Sequence, residues 1–318
     1  MEITVQKQNS TRVDELTDSA SAILKTLLYF DVFKYPLTFE ELLSYTQYIK
    51  ISSDEAQSEI ALLQNKGWVE KSGDFLYLKG KHFVVARRLE GNKLAQKRMT
   101  LAKKMSELIV QFPFVKSVCI SGSLSKNYMD EDSDIDFFII TEPGRLWLCR
   151  GLLVLFKKVF LLNSRRHFCI NYYVDSTNLE IPERNIFTAT EITFLLPTYN
   201  SLLFDEFRKR NNWTHDFYPN LSYQGMLEKP LKNSIIKQFF ERILNGTIGE
   251  KMDALFFKLT LRRWKNKFSH FSKEEFDLNL RSRKSVSKHH PRGYQKVVLD
   301  RFQEKLDEFE RANNVKLL

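Results

Sequence analysis

The sequence predicts an α+β protein in which a small mixed sheet lies between two largely helical regions. Three strand patterns occur between about residues 115 and 175, and one short hairpin pattern precedes them. Apolar residues at helical spacing dominate the rest of the chain. With 318 residues, 43% of them hydrophobic, the chain is long enough for two domains, or three small ones, with cores of ordinary size.

No membrane-spanning segment is expected. The apolar run at Leu152–Phe156 is much shorter than the roughly 20 residues that cross a bilayer. The first 16 residues show no basic patch followed by an apolar stretch, which a signal peptide would require. We therefore expect a cytoplasmic protein with no membrane partner.

The three cysteines predict buried thiols. Cys119, Cys149 and Cys169 are an odd set with no CxxC spacing. Free cysteine prefers the protein interior, and disulfides are rare in the cytoplasm. This pattern favours reduced, buried side chains over disulfides or a cysteine metal site.

Residues 20–82 predict a small N-terminal domain of three helices and a hairpin. The second and third helices begin at the capping boxes Thr38-x-x-Glu41 and Ser52-x-x-Glu55. The third helix ends at Gly67, and the hairpin turns at 72–74. This order of elements resembles a winged helix-turn-helix.

The charge of this unit argues against DNA binding. Residues 31–75 contain four basic and eight acidic side chains, and three of the acids lie on the third helix. A duplex-binding surface needs the opposite charge to attract phosphates. We expect a packing or protein-interaction role instead.

Residues 83–112 predict a connecting helix, and residues 186–318 a helical C-terminal domain. Residues 262–296 hold eleven basic and three acidic side chains, so most of the chain's net charge of +10 lies there. The polar, acid-free stretch at 281–292 leaves three alternatives open. It is a solvated loop, it covers the active site and helps to bind an anionic ligand, or it binds RNA.

The candidate chemistry lies between two predicted strands. The strand at Val115–Ile120 ends in Ser121-Gly122-Ser123, and Asp134-Ile135-Asp136 opens the strand over 134–140. Side chains alternate along a strand, so Asp134 and Asp136 share a face, about 7 Å apart along the backbone. Two neighbouring carboxylates are stabilised by a cation, and oxygen ligands select Mg²⁺ or Mn²⁺. The pair predicts a metal site.

The Gly-Ser turn predicts a phosphate-binding loop. Glycine lets the backbone approach a ligand closely, and the amides and hydroxyl at a helix start accept phosphate oxygens. Gly122 and Ser123 are therefore candidate nucleotide-binding residues. Lys126 either adds a positive charge to the same phosphates or is an ordinary exposed lysine.

The ordered combination of Gly122-Ser123 with Ser133-Asp134-Ile135-Asp136 resembles the DNA polymerase beta-like nucleotidyltransferases, particularly their minimal bacterial members. The resemblance covers about residues 113–176 and implies a nucleotidyltransferase core over 113–185. It further implies that Gly122 and Ser123 bind the nucleotide phosphates. Asp134 and Asp136 would be the catalytic ligands of a divalent metal.

The family usually carries a third carboxylate on a neighbouring strand, and this position is ambiguous here. Asn171 and Asp175 share one face of the predicted strand over 167–175. Either Asn171 replaces the acid or Asp175 supplies it. Without a third carboxylate, activation of the attacking hydroxyl would be slower or would depend on a substrate group or on Glu180.

Two functions follow as hypotheses. The first is a metal-dependent enzyme that transfers a nucleoside monophosphate from an NTP to an unidentified acceptor and releases pyrophosphate. The alternative is a nucleotide-sensing or winged-helix regulatory or scaffold protein in which the nucleotidyltransferase fold is inactive. Pocket shape outside the motif determines the acceptor and the base preference.

Overall fold

The structure, a computed structural model, describes residues 16–162, 166–222 and 234–317. The N-terminal residues that lack a signal-peptide pattern lie outside these ranges, except for residue 16. The described residues form two compact units. The first comprises those of 1–85, 217–222 and 299–318, and the second those of 86–216 and 223–298.

The first unit contains the three predicted helices and the predicted hairpin. Its helices are α1 (Asp18–Asp31), α2 (Phe39–Tyr45) and α3 (Ser53–Asn65). Its strands are β1 (Leu37–Thr38), β2 (Val69–Ser72) and β3 (Phe75–Leu78), in the antiparallel order β1-β3-β2. The resemblance of this unit to a winged helix-turn-helix stays a prediction.

Local capping explains where these helices start. The reciprocal capping box between Thr38 and Glu41 is present, and the Ser52 side chain accepts a hydrogen bond from the Glu55 amide. The Glu55 carboxylate also accepts from the Ser19 hydroxyl, and Glu59 accepts from Thr17 at 2.8 Å. Two acids of α3 thus hydrogen bond with residues in or next to α1, which fits a packing role for this helix.

The last helix of the chain contributes to the first unit. Phe302 and Phe309 pack edge-on against Tyr29 and Trp68, at ring-centroid distances of 5.2 and 5.4 Å. Lys305 Nζ lies 2.6 Å from Asp31 Oδ2. The compact units therefore do not coincide with the predicted helical domain over 186–318. The division into four domains itself stays a prediction.

The second unit is built on a six-stranded mixed sheet. The strands are β4 (Val115–Ser121), β5 (Asp136–Thr141), β6 (Cys169–Asp175), β7 (Leu196–Tyr199), β8 (Ser282–Arg283) and β9 (Val286–Lys288). Their order is β7-β4-β5-β6-β9-β8, in which β5 and β6 are parallel and all other neighbours are antiparallel. The predicted α+β class with a mixed sheet and helical flanks is confirmed.

The helices that follow α3 along the chain are α4 (Phe83–Val110), α5 (Gly122–Ser125), α6 (Leu146–Phe160), α7 (Ile186–Thr193), α8 (Ser201–Arg210), α9 (Ile235–Leu244), α10 (Thr247–Lys267), α11 (Lys273–Asn279) and α12 (Tyr294–Asn313), with a 3₁₀ turn at Asn212–Asp216. Helix α4 covers residues 83–110 of the connecting helix predicted over 83–112. Helix α6 forms the crossover between the parallel strands β5 and β6. The sheet buries Val118, Ile139 and Tyr173 together with Trp147 of α6. This core holds the ends of β4 and β5 in place.

The sheet is wider than the sequence predicts. Residues 196–199 lie in the region predicted to be helical but form the edge strand β7. Pro197 is tolerated there because the outer edge of the sheet makes no ladder bonds. Residues 286–288 are buried and pair with β6, so for them the solvated-loop alternative is wrong. The cations Arg281 and Lys288 are also buried here, and each forms an ion pair with Glu183 in place of contacts with water.

All three cysteines are buried and form no disulfide, as predicted. Cys119 lies on β4, Cys149 on α6 and Cys169 on β6. Within the described ranges, no group of three or more His, Cys, Asp or Glu side chains is placed to hold a metal ion. A metal site among these residues would therefore use at most two such side chains as ligands.

Candidate active site

The Gly-Ser turn and the second aspartate contact each other at one end of the sheet. Ser121, the last residue of β4, pairs with Asp136, the first residue of β5. Gly122 follows with φ +70°, and a Cβ atom on it would lie 2.6 Å from Asp136 Oδ2. Only glycine combines this left-handed backbone with the close approach of the carboxylate.

Asp136 is half-buried and hydrogen bonded. Its Oδ1 accepts a hydrogen bond of 2.7 Å from Asn171 Nδ2. The pKa of Asp136 is raised to about 7, mainly by burial. A hydrogen bond with Cys169 lowers this pKa, and the charge of Asp134 raises it. This carboxylate lacks full compensation for its negative charge.

Asp134 lies outside the regular strand, which begins two residues later than predicted. The main chain continues the ladder at Ile135, whose amide donates to Arg166 O at 3.2 Å and whose carbonyl accepts from Cys169 N at 3.0 Å. Ile135 is fully buried, whereas Asp134 and Asp136 are both partly exposed. The predicted alternation of the two acids about Ile135 is therefore present.

The register between β5 and β6 resolves the ambiguity at the third position. Asp136 pairs with Cys169 and Thr141 with Asp175, and Asn171 is the extra residue at a bulge between them. The bulge directs the Asn171 side chain to Asp136. Asp175 lies at the other end of the strand, where its Oδ1 accepts from Thr177. Asn171 therefore occupies the place beside Asp136.

Lys126 is close to the turn and forms an ion pair. Its Nζ donates to Gly122 O at 3.1 Å and to Glu191 Oε1 at 2.8 Å. This ion pair holds Glu191 near the turn, and its charge raises the pKa of Asp136. Thr188-x-x-Glu191 has the pattern of a capping box, but the helix α7 is capped by Asn185, whose side chain accepts from the Thr188 amide. The sequence therefore missed Glu191 as a site residue.

Glu180, the other acid considered for activation of the acceptor, pairs with Arg184 at 2.9 Å on an exposed surface. Ser123 lies in the first turn of the short helix α5, and its carbonyl accepts from Lys126 N and Tyr128 N. The first backbone N–H groups of a helix have no partner inside that helix. The start of α5 thus offers amide donors next to the Asp136 carboxylate.

The basic stretch at 281–292 contacts the main chain of Asn171. The His289 amide donates to Asn171 O at 2.8 Å. The cations Arg281 and Lys288 both pair with Glu183, at 2.9 and 3.2 Å. Asp277 also pairs with Arg281 and Arg283, at 3.3 and 3.4 Å, so Glu183 and Asp277 both hold this part of the stretch. An anionic ligand at 281–292 stays a prediction.

His290, in the same stretch, is packed near Tyr172 with its ring 6.2 Å from the tyrosine ring. Burial is the main cause that lowers the pKa of His290, to about 4, and the nearby Lys288 charge lowers it further. A histidine in the unfolded chain has a pKa of about 6.5. The unfolded state therefore binds more protons between these values, and stability is lost as the pH falls below about 6.5.

We expect this histidine to lower the free energy of unfolding by about 2 kcal/mol between pH 7 and pH 5. His290→Gln should remove that part of the pH dependence, and urea unfolding at the two pH values measures it. The control is His270→Gln, which changes an exposed histidine. Equal pH dependence in wild type and His290→Gln would contradict the assignment.

Comparison with known proteins identifies one family, whose match contains the candidate site residues but not the 281–292 stretch. Residues 99–191 match the model of a family described as Nucleotidyltransferase domain. The match covers less than a third of the chain and includes Gly122, Ser123, Lys126, the two aspartates, Asn171 and Glu191. No curated protein and no solved structure matches the chain significantly.

The family match confirms the resemblance to polymerase beta-like nucleotidyltransferases that the motif residues predicted. The matched domain supports a general nucleotidyltransferase activity with a nucleotide as substrate. A separate finding concerns membranes. No helix in the described part of the chain is long and apolar enough to cross a bilayer.

Proposed function

We propose that the protein is a metal-dependent enzyme that transfers a nucleoside monophosphate from an NTP to an acceptor and releases pyrophosphate. The observation that carries the proposal is the contact between the Gly122 turn and the Asp136 carboxylate. In this proposal the Gly122 turn binds phosphate, and the negatively charged Asp136 carboxylate lies directly beside it. Nucleotidyl transfer needs both, because a polyanion must be held beside a group that binds cations.

The donor set suits a hard divalent cation. Asp134 and Asp136 offer carboxylate oxygens, and their mutual repulsion and the burial of Asp136 raise its pKa. Such oxygens favour Mg²⁺ or Mn²⁺ over softer metals. We propose that these two residues hold the cation, which when bound would polarise the phosphoryl oxygens and neutralise their charge.

Other residues of the chain would position the nucleotide. The backbone amides of Gly122 and Ser123, at the start of α5, would donate to phosphate oxygens. The Lys126 ammonium group, which contacts Gly122 O and Glu191 Oε1, would also contact the same phosphates. Asn171 donates to Asp136 Oδ1, which fixes the orientation of that carboxylate.

A specific observation also favours the alternative of a nucleotide sensor. Asn171 is neutral, so it cannot take the proton of an acceptor hydroxyl as a carboxylate would. In a sensor, nucleotide binding at the same residues would occur without transfer. Any winged-helix regulatory or scaffold role of the first unit would then depend on the bound nucleotide.

The test is the release of labelled pyrophosphate from each of the four NTPs with Mg²⁺ or Mn²⁺, together with mass spectrometry of the products. Pyrophosphate release with a mass increase of one nucleoside monophosphate on an acceptor supports the enzyme. Nucleotide binding by calorimetry without any release supports the sensor. A protein that neither binds nor turns over NTPs would contradict both functions.

Asn171→Asp is expected to strengthen Mn²⁺ binding about tenfold, because a third negatively charged oxygen ligand would stand beside Asp136. Titration calorimetry at pH 8 measures the change. Asn266→Asp, on an exposed position of α10, is the matched control with the same change of charge. Equal Mn²⁺ affinity in Asn171→Asp and the control would show that residue 171 does not face the cation.

A further inference from the structure

Helix α9 packs with its polar side toward the core. Lys237 is buried, and its Nζ donates to the carbonyls of Val110 and Val115 at 3.0 and 2.8 Å. One turn later, Glu241 Oε1 accepts from the Phe114 amide at 2.8 Å. An ordinary surface helix packs on the core through apolar residues. Helix α9 instead contacts the core through hydrogen bonds of its charged residues Lys237 and Glu241.

The apolar side of α9 faces outward as a result. Five of the six large apolar residues of α9 are between 45% and 85% exposed, namely Ile235, Ile236, Phe239, Phe240 and Ile243. The sixth, Leu244 at the C-terminal end of the helix, is buried. Positions spaced by one, three and four residues lie on one helical face. A contiguous exposed apolar face of this kind marks an interaction surface.

Both ends of α9 are fixed by further hydrogen bonds. The Ser234 amide donates to Gln111 Oε1 at 3.1 Å. The buried Arg145 guanidinium donates from Nε to Leu244 O at 3.1 Å and also to the carbonyls of Asn245 and Gly246. The outward orientation of the apolar face is thus imposed by polar contacts along the whole helix.

The next helix, α10, combines exposed apolar and basic residues. Ile248, Leu255 and Leu259 form an exposed apolar stripe. A basic residue follows each of them by three positions, and these exposed residues are Lys251, Lys258 and Arg262. Positions three apart are neighbours on a helix, so a basic stripe flanks the apolar stripe.

The charge around these two helices is one-sided. Over 234–267 the exposed charged side chains are seven basic residues and one acidic residue, namely Arg242, Lys251, Lys258, Arg262, Arg263, Lys265 and Lys267 against Glu250. A second copy of the chain would bring this basic surface against itself, which like charges disfavour. Nucleic acid would match the charge but would leave the phenylalanine and isoleucine side chains of α9 in water.

We propose that α9 and α10 form a docking surface for a lipid bilayer that carries anionic headgroups. The apolar face of α9 enters the boundary between headgroups and acyl chains, and the basic residues of α10 contact the phosphates. A contact of this kind lies at the bilayer surface and needs no continuous apolar run. It would therefore revise the expectation of no membrane partner, which rested on the lack of a spanning segment. The lipid contact is independent of the nucleotide chemistry.

The experiment is co-sedimentation of the full-length protein with vesicles of phosphatidylcholine, with and without phosphatidylglycerol. We expect binding to the anionic vesicles that weakens in high salt. Phe239→Ser combined with Phe240→Ser should weaken it about tenfold or more. The matched control, Leu62→Ser with Leu202→Ser, removes two exposed leucines from α3 and α8 and should bind as the wild type does.

Two outcomes would overturn the proposal. One is a wild-type protein that stays in the supernatant with both kinds of vesicle. The other is a dimer by light scattering that the double phenylalanine variant converts to a monomer, because a second copy would then cover α9. Thermal unfolding of each variant confirms that it is folded before the comparison is made.

Discussion

Replacing both Asp134 and Asp136 by Asn should abolish NTP turnover and leave the protein folded and more stable in the absence of divalent cations. The pKa of Asp136 is raised from 3.8 to about 7, chiefly by burial, so the folded state disfavours its ionised form. Stability is therefore lost as the pH rises from about 4 to 7. The double variant removes this penalty, which is about 4 kcal/mol at pH 8.

An asparagine at 136 keeps an oxygen that can accept the hydrogen bond from Asn171 Nδ2. Urea unfolding with EDTA at pH 8 measures stability, and pyrophosphate release measures turnover. The control, Glu131→Gln with Asp132→Asn, removes two exposed acids of the neighbouring loop and should keep both properties. Wild-type turnover in the Asp134→Asn, Asp136→Asn protein would show that the active site lies elsewhere.

Gly122→Ala should destabilise the protein by about 2–4 kcal/mol and reduce turnover about 100-fold. The left-handed backbone at φ +70° costs about 1–2 kcal/mol for a residue with a Cβ. The new methyl group would also lie 2.6 Å from Asp136 Oδ2, so the carboxylate or the turn must shift. A displacement of about 1 Å at a reacting centre is enough for a loss of this size.

Gly144→Ala separates the two effects. Gly144 has φ +68°, but a Cβ atom there would meet nothing within 4 Å. This variant should show the backbone strain alone and keep its turnover. Adding Asp136→Ala to Gly122→Ala should recover part of the lost stability, because it removes the clashing carboxylate. If Gly122→Ala behaved like Gly144→Ala in both assays, the close contact would have no functional role.

The sequence by itself determined the elements whose signals are local. The Gly122-Ser123 turn and the Asp134-Ile135-Asp136 pattern lie within about 15 residues of each other, and the strands around them are rich in apolar residues. Helix starts such as Thr38 depend on side chains three residues away. Such features follow from the geometry of a single helix, turn or strand and can be read without knowing what packs on them.

Only the tertiary structure decided which distant residues meet. A bulge in β6 brings Asn171, and not Asp175, to Asp136, because one extra residue changes which side chains share a face. Glu191 reaches the site through Lys126 from a helix that follows in the chain. The stretch at 286–288 is a buried strand that pairs with β6, and Glu183 forms an ion pair with Lys288 there.

The orientation of α9 is decided in the same way. Its sequence shows helical periodicity, and a helix with one apolar side ordinarily buries that side. Here the carbonyls of Val110 and Val115 and the Phe114 amide provide hydrogen-bond partners for Lys237 and Glu241, and the helix turns its polar side inward. Periodicity along a sequence specifies the two faces of a helix, whereas the partners that surround the helix determine which face is buried.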